Sequence, residues 1–105
     1  MAQTGTISLR GRSGSQYPFN IYDFNGIWGE VPAVYVFTRV EGTTHRIIYI
    51  GQTDNLRQRL DNHHKALCIS SNNANRLCVH QEGDENTRLM IETDLIRNYK
   101  TPCNS

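Results

Sequence analysis

Residues 33–60 read AVYVFTRVEGTTHRIIYIGQTDNLRQRL, and the fold turns on them. Ala33–Val40 is β-branched and aromatic, as a buried strand should be. Glu41–Thr44 is a short polar break containing a glycine, and His45–Ile50 is a second apolar run. Two such runs joined by so short a break make a β-hairpin. The chain should then leave the sheet at Gly51–Thr53, a strand-to-helix junction. Thr53 or Asp54 would cap a helix over Asn55–Leu67. On that helix Leu56 and Leu60 would face inward. Arg59 and His63, one turn apart, would form an adjacent pair.

Working outward, Ser70–Asn75 is a polar connection and Arg76–His80 a third strand. Thr87–Tyr99 is a second helix with Met90, Ile91, Leu95, Ile96 and Tyr99 as its apolar positions, closed by Pro102. Upstream, Thr6–Arg10 and Gln16–Phe24 read as a hairpin or arm against the main sheet. Pro18 would suit an edge position, and Asn25–Gly29 is turn-like. Strands and helices do not alternate strictly, which argues against a Rossmann-type sheet. The expected class is α/β of the mixed α+β kind: a three-stranded central antiparallel sheet flanked by helices, with the N-terminal hairpin beside it. Residues 1–30 would form that extension and residues 31–105 the main domain.

A chain of 105 residues with 37% apolar and 20% charged residues has room for one core. Net charge is only +1, but it is unevenly spread. Residues 31–80 carry six basic and three acidic groups together with all four histidines, whereas residues 81–105 carry three basic and five acidic groups. Nine of the eleven cations are arginine, the side chain that forks best onto phosphate. The three cysteines, Cys68, Cys78 and Cys103, show no C-x-x-C spacing. This argues against a zinc site or a disulfide framework and fits a reducing cytoplasm. The first residues lack the apolar core of a signal peptide, and no run is long enough to span a membrane.

Few residues are placed to do chemistry. Tyr35 and Tyr49 lie on the two hairpin strands, where tyrosine pairs are also ordinary packing units. Gly51 would permit close approach of a ligand or simply a tight turn. The helix start, with Arg57, Arg59, His63, His64 and Lys65 behind it, offers a phosphate-facing surface. Glu92 is flanked by Leu89, Leu95 and Ile96 on its helix. A carboxylate on such a boundary needs a cation, a metal or strong donors. No Ser-His-Asp arrangement, P-loop or HExxH pattern is present. Two tyrosines, an arginine, a histidine and one carboxylate suit phosphodiester hydrolysis with one Mg²⁺ ion.

These residues resemble the signature of the GIY-YIG nuclease family. Ala33-Val34-Tyr35 stands as the first triplet, with alanine in place of the usual glycine, and Tyr49-Ile50-Gly51 is an intact second triplet. Gln52–Leu60 is similar to the family's link into an arginine-bearing helix. Leu89–Asn104 is similar to its glutamate helix and closing Pro-x-Asn. The resemblance implies a metal-dependent DNA endonuclease that leaves a 5′-phosphate. It implies Tyr35 as general base or water-orienting hydroxyl and Tyr49 as the group positioning the nucleophile or phosphate. Arg59 would stabilise the transition state, and His63 would assist orientation or proton transfer. Glu92 would be the single ligand of Mg²⁺, with Mn²⁺ as substitute. Gly51, Arg57, Lys65 and Asn104 would serve substrate binding or support the site. DNA is the implied partner. The low net charge points to a homodimer or an added DNA-binding protein. The rival expectation is a GIY-YIG-fold module with weak or no catalysis, binding nucleic acid or protein in DNA repair or recombination.

Overall fold

The computed structural model describes residues 3–24 and 28–104. It is an α+β fold built on one antiparallel sheet. The strands are β1 (Gln3–Arg10), β2 (Gln16–Tyr22), β3 (Ala33–Glu41), β4 (Thr44–Thr53) and β5 (Arg76–Gln81). The helices are α1 (Leu56–Asp61), α2 (Ala66–Ser71) and α3 (Glu85–Asn98). The sheet order is β1-β2-β5-β3-β4, so it has five strands rather than three. The N-terminal hairpin does not lie against the sheet. It continues it, through Asn20–Tyr22 of β2 paired with Leu77–Val79 of β5. Pro18 sits opposite Ser8 of β1 and beyond the paired stretch of β5, so its missing N–H costs no ladder bond. Of the turn read at Asn25–Gly29, residues 25–27 lie outside the described residues.

The sheet buries both faces. Ala33, Tyr35, Phe37, Tyr49, Leu77 and Val79 turn to one side, where Leu56 of α1 and Ile69 of α2 cover them. Val34, Val36, Ile50 and Cys78 turn to the other, under Ile91 and Leu95 of α3 and beside Leu9, Phe19 and Ile21 of the hairpin. This alternation is the period-two pattern of a strand buried on both sides. A register shift between Phe37 and Thr38 interrupts it and lets Ile48 share the first face with Tyr49.

Four expectations fail here. β4 runs to Thr53, so Gly51 lies inside a strand and not at its exit. The cap of α1 is Asn55, whose side chain accepts from Gln58 N–H. The helix ends at Asp61, so His63 lies beyond it and shares no helical stripe with Arg59. Cys68 and Cys103 form a disulfide across 35 residues, with Cα atoms 5.8 Å apart. Spacing in sequence carried no trace of that approach, because the tertiary fold alone makes it.

Candidate active site

β4 is an edge strand, and later parts of the chain fasten its outer side. Ile48 C=O accepts from Cys103 N–H at 3.2 Å. The Asn104 side chain takes the place of a neighbouring strand: its Oδ1 accepts from Ile50 N–H and its Nδ2 donates to Ile50 C=O, both at 2.8 Å. Thr101 Oγ1 also hydrogen-bonds Asn104 Oδ1. Asn104, expected to bind substrate or support the site, thus holds the backbone between Tyr49 and Gly51.

Gly51 stands opposite Tyr35 in the β3–β4 register. A Cβ there would lie 2.7 Å from Tyr35 Cζ and Oη and 2.8 Å from Tyr49 Cε2. Its missing side chain is the space in which the two rings meet, with centroids 6.1 Å apart. Both tyrosines are buried, at 1% and 8% exposure, and burial pushes both phenols above their ordinary value. His63 closes the cluster. Its ring meets Tyr49 edge-on at 4.9 Å, Tyr35 at 5.8 Å and Phe37 at 5.8 Å, and it stacks on His64 at 5.2 Å. Its Nε2 lies 2.9 Å from Tyr35 Oη.

Glu92 reaches the same place from α3. It is half-buried, and burial raises its carboxyl above the ordinary range. A hydrogen bond from the Gln52 backbone and the charge of Arg59 pull the other way. Among the described residues no cation lies within ion-pair distance of it. Arg59, partly buried on α1, is the common element: its charge acts on Tyr35, Tyr49, His63 and Glu92 alike. Arg57 points to solvent. Lys65 is half-buried at the start of α2, and its backbone N–H donates to His63 Nδ1. The structure therefore gathers Tyr35, Tyr49, Gly51, Arg59, His63 and Glu92, backs them with Asn104, and leaves Arg57 outside. The six-residue α1 is too short, and its first turn too well capped, for the phosphate-facing helix start expected from sequence.

One supporting residue escaped the sequence reading. Arg88, one turn before Glu92, is 3% exposed. Its Nε donates to Gln52 Oε1 at 3.1 Å, and its Nη1 donates to the carbonyls of Glu82 and Gly83. It ties α3 to the strand position whose backbone meets Glu92. The signal was an arginine at the apolar spacing Arg88, Ile91, Leu95, where a snorkelling surface cation was the simpler reading.

As to the metal, no group of three or more His, Cys, Asp or Glu side chains converges among the described residues. The one carboxylate that reaches the cluster, Glu92, is a hard oxygen donor. It fits a magnesium-type ion that keeps most of its shell as water and phosphate oxygen.

The chain matches the family model for the GIY-YIG catalytic domain over residues 32–104. No curated protein matches it significantly. Nor does any solved structure. With most of its length under that match, the chain belongs to the GIY-YIG family, whose members are of nuclease type.

Proposed function

We propose that this chain is an endonuclease that hydrolyses DNA phosphodiester bonds with one divalent cation, Mg²⁺ or in its place Mn²⁺. The observation that carries the proposal is convergence. Among the described residues, a carboxylate without an ion-pair partner, a cation and two buried phenols from four separate elements meet at one end of β4. A packing cluster has no need of a half-buried glutamate that has, among those residues, a backbone hydrogen bond but no ion pair, since that burial costs stability unless something binds it.

In this reading Glu92 is the protein ligand of the cation, which when bound would neutralise charge on the phosphate and its leaving oxygen. Arg59 lies where it can hydrogen-bond the non-bridging oxygens as negative charge grows in the transition state. Tyr35 and Tyr49 orient the attacking water. Burial keeps both phenols protonated at rest, so proton loss from either requires the cations of the loaded site. Water oxygen bonds to phosphorus, the bond to the 3′ oxygen breaks, and that oxygen leaves with a proton. The products are a 5′-phosphate and a 3′-hydroxyl. The charge of +1 gives weak affinity for DNA, which supports a second copy or a DNA-binding partner as the source of the rest. Among the described residues no helix is long and apolar enough to cross a membrane. A cytoplasmic placement loses the support of the cysteine pattern, since Cys68 and Cys103 are bonded.

The test is nicking of supercoiled plasmid at low salt with Mg²⁺, with a chelator control. Cleavage should need the metal. It should fall by about 10²–10³-fold in both Glu92→Ala and Arg59→Ala, the scale of losing one electrostatic stabiliser. Equal cleavage by native and variant proteins would refute the site. DNA binding without cleavage of plasmid, branched or single-stranded DNA would favour the binding-module reading.

A further inference from the structure

His63 has a proton assignment written in its hydrogen bonds. Its Nδ1 accepts from the backbone N–H of Lys65 at 3.0 Å. An imidazole nitrogen that accepts carries no hydrogen, and a neutral ring then has its single hydrogen on the other nitrogen. That other nitrogen, Nε2, is the one at 2.9 Å from Tyr35 Oη. The ring stays neutral because burial disfavours its charged form and the charges of His64 and Arg59 add to the effect, bringing His63 down to about 4. Tyr35, Phe37 and Tyr49 surround it with ring edges, and among the described residues no carboxylate pairs with it.

Resting on the nuclease reading, we propose that His63 is a positioning residue: fixed as the Nε2–H tautomer by the Lys65 backbone, it donates to Tyr35 Oη and takes no proton from the reaction. A hydroxyl that already accepts from His63 must give its own hydrogen elsewhere. Donation therefore runs in one direction: Lys65 N–H to His63, and His63 to Tyr35. A backbone amide that cannot ionise sets its sense.

Two measurements test this separately from the nuclease reading. Long-range ¹H–¹⁵N correlation on the full chain reports the tautomer whether or not the protein cuts DNA. Expected is a neutral His63 at pH 7 with hydrogen on Nε2, unchanged as pH falls to about 5, well above its titration near 4. A hydrogen on Nδ1, or an imidazolium at pH 7, overturns the proposal. The second is the plasmid assay with His63→Gln and His63→Ala. The glutamine amide restores a donor near Nε2 but no base. His63→Gln should keep at least about a tenth of the native rate with an unchanged pH profile, and His63→Ala should lose about 100-fold, the scale of misplacing a reacting group. If both folded variants lose about 100-fold or more, or if His63→Gln loses the acidic limb of the profile, His63 is a base and the proposal fails. If native protein cuts nothing, the nuclease reading falls and the tautomer measurement still decides the orientation of His63.

Discussion

Along the outer side of β4, Ile48, Ile50 and Gln52 are engaged through their backbones by Cys103, Asn104 and Glu92, residues 40 to 55 positions further along the chain. At the opposite edge, β1 is held at its C-terminal end. Tyr99 Oη accepts from Arg10 N–H, the Asn98 amide donates to Arg10 C=O, and Asp94 accepts from Ser13 and Tyr17. Both arrangements blunt a sheet edge that would otherwise pair with another chain. They differ in what they fix. Contacts on β4 set the backbone that carries Tyr49 and Gly51, whereas those on β1 hold an exposed turn. The edge that bears the candidate site is the one closed by groups of fixed geometry.

The comparison breaks most visibly at the disulfide. Reducing Cys68–Cys103 frees the tail that covers β4. It should lower stability by about 3–4 kcal/mol on the loop-entropy scale for a closure of 35 residues. Denaturant unfolding with and without reductant measures it, and an unchanged midpoint would mean the tail is held by its hydrogen bonds alone. Next in size is Asn104→Ala, which leaves the Ile50 N–H and C=O without their partner. Water can reach an edge, so the expected loss is about 1–2 kcal/mol, accompanied by weaker cleavage. Loss of stability without loss of cleavage would mean that Tyr49 and Gly51 do not depend on that clasp. The smallest effect belongs to β1. Asp94→Asn should lower stability slightly and leave cleavage within about twofold of native, as for a surface change away from the site. Hydrogen bonds from Tyr17 and Ser13 hold the Asp94 carboxyl below its ordinary 3.8. Its contribution is therefore complete above that pH in the native protein and fades as pH falls through the lower value. A stability profile from pH 5 to pH 2 should flatten in the variant.

Much of this architecture was legible in residues 33–60, because their alternation and their short polar break are local signals. Glu92 stood out by its apolar flanks, and the family signature added Asn104. Five features were not legible. Gly51 reads as a junction because glycine usually punctuates, yet here it stays in the strand to make room for two rings. The helix expected to run to Leu67 breaks after Asp61, which takes His63 off the stripe of Arg59 and turns it to Tyr35. Arg88 has a charged side chain at an apolar position, and only three acceptors brought together by the fold make that burial tolerable. The disulfide and the pairing of the N-terminal hairpin onto β5 depend on which distant segments meet, and no window of sequence holds that information.

The clasp of Asn104 on Ile50 also sets an order of assembly. The tyrosines, Arg59 and His63 emerge early in synthesis. Glu92 follows, and the amide that straightens the strand between Tyr49 and Gly51 comes after it. Until then β4 has one side open and the carboxylate is absent. The set of side chains that carries the proposed chemistry is thus incomplete until almost all of this fold has left the ribosome.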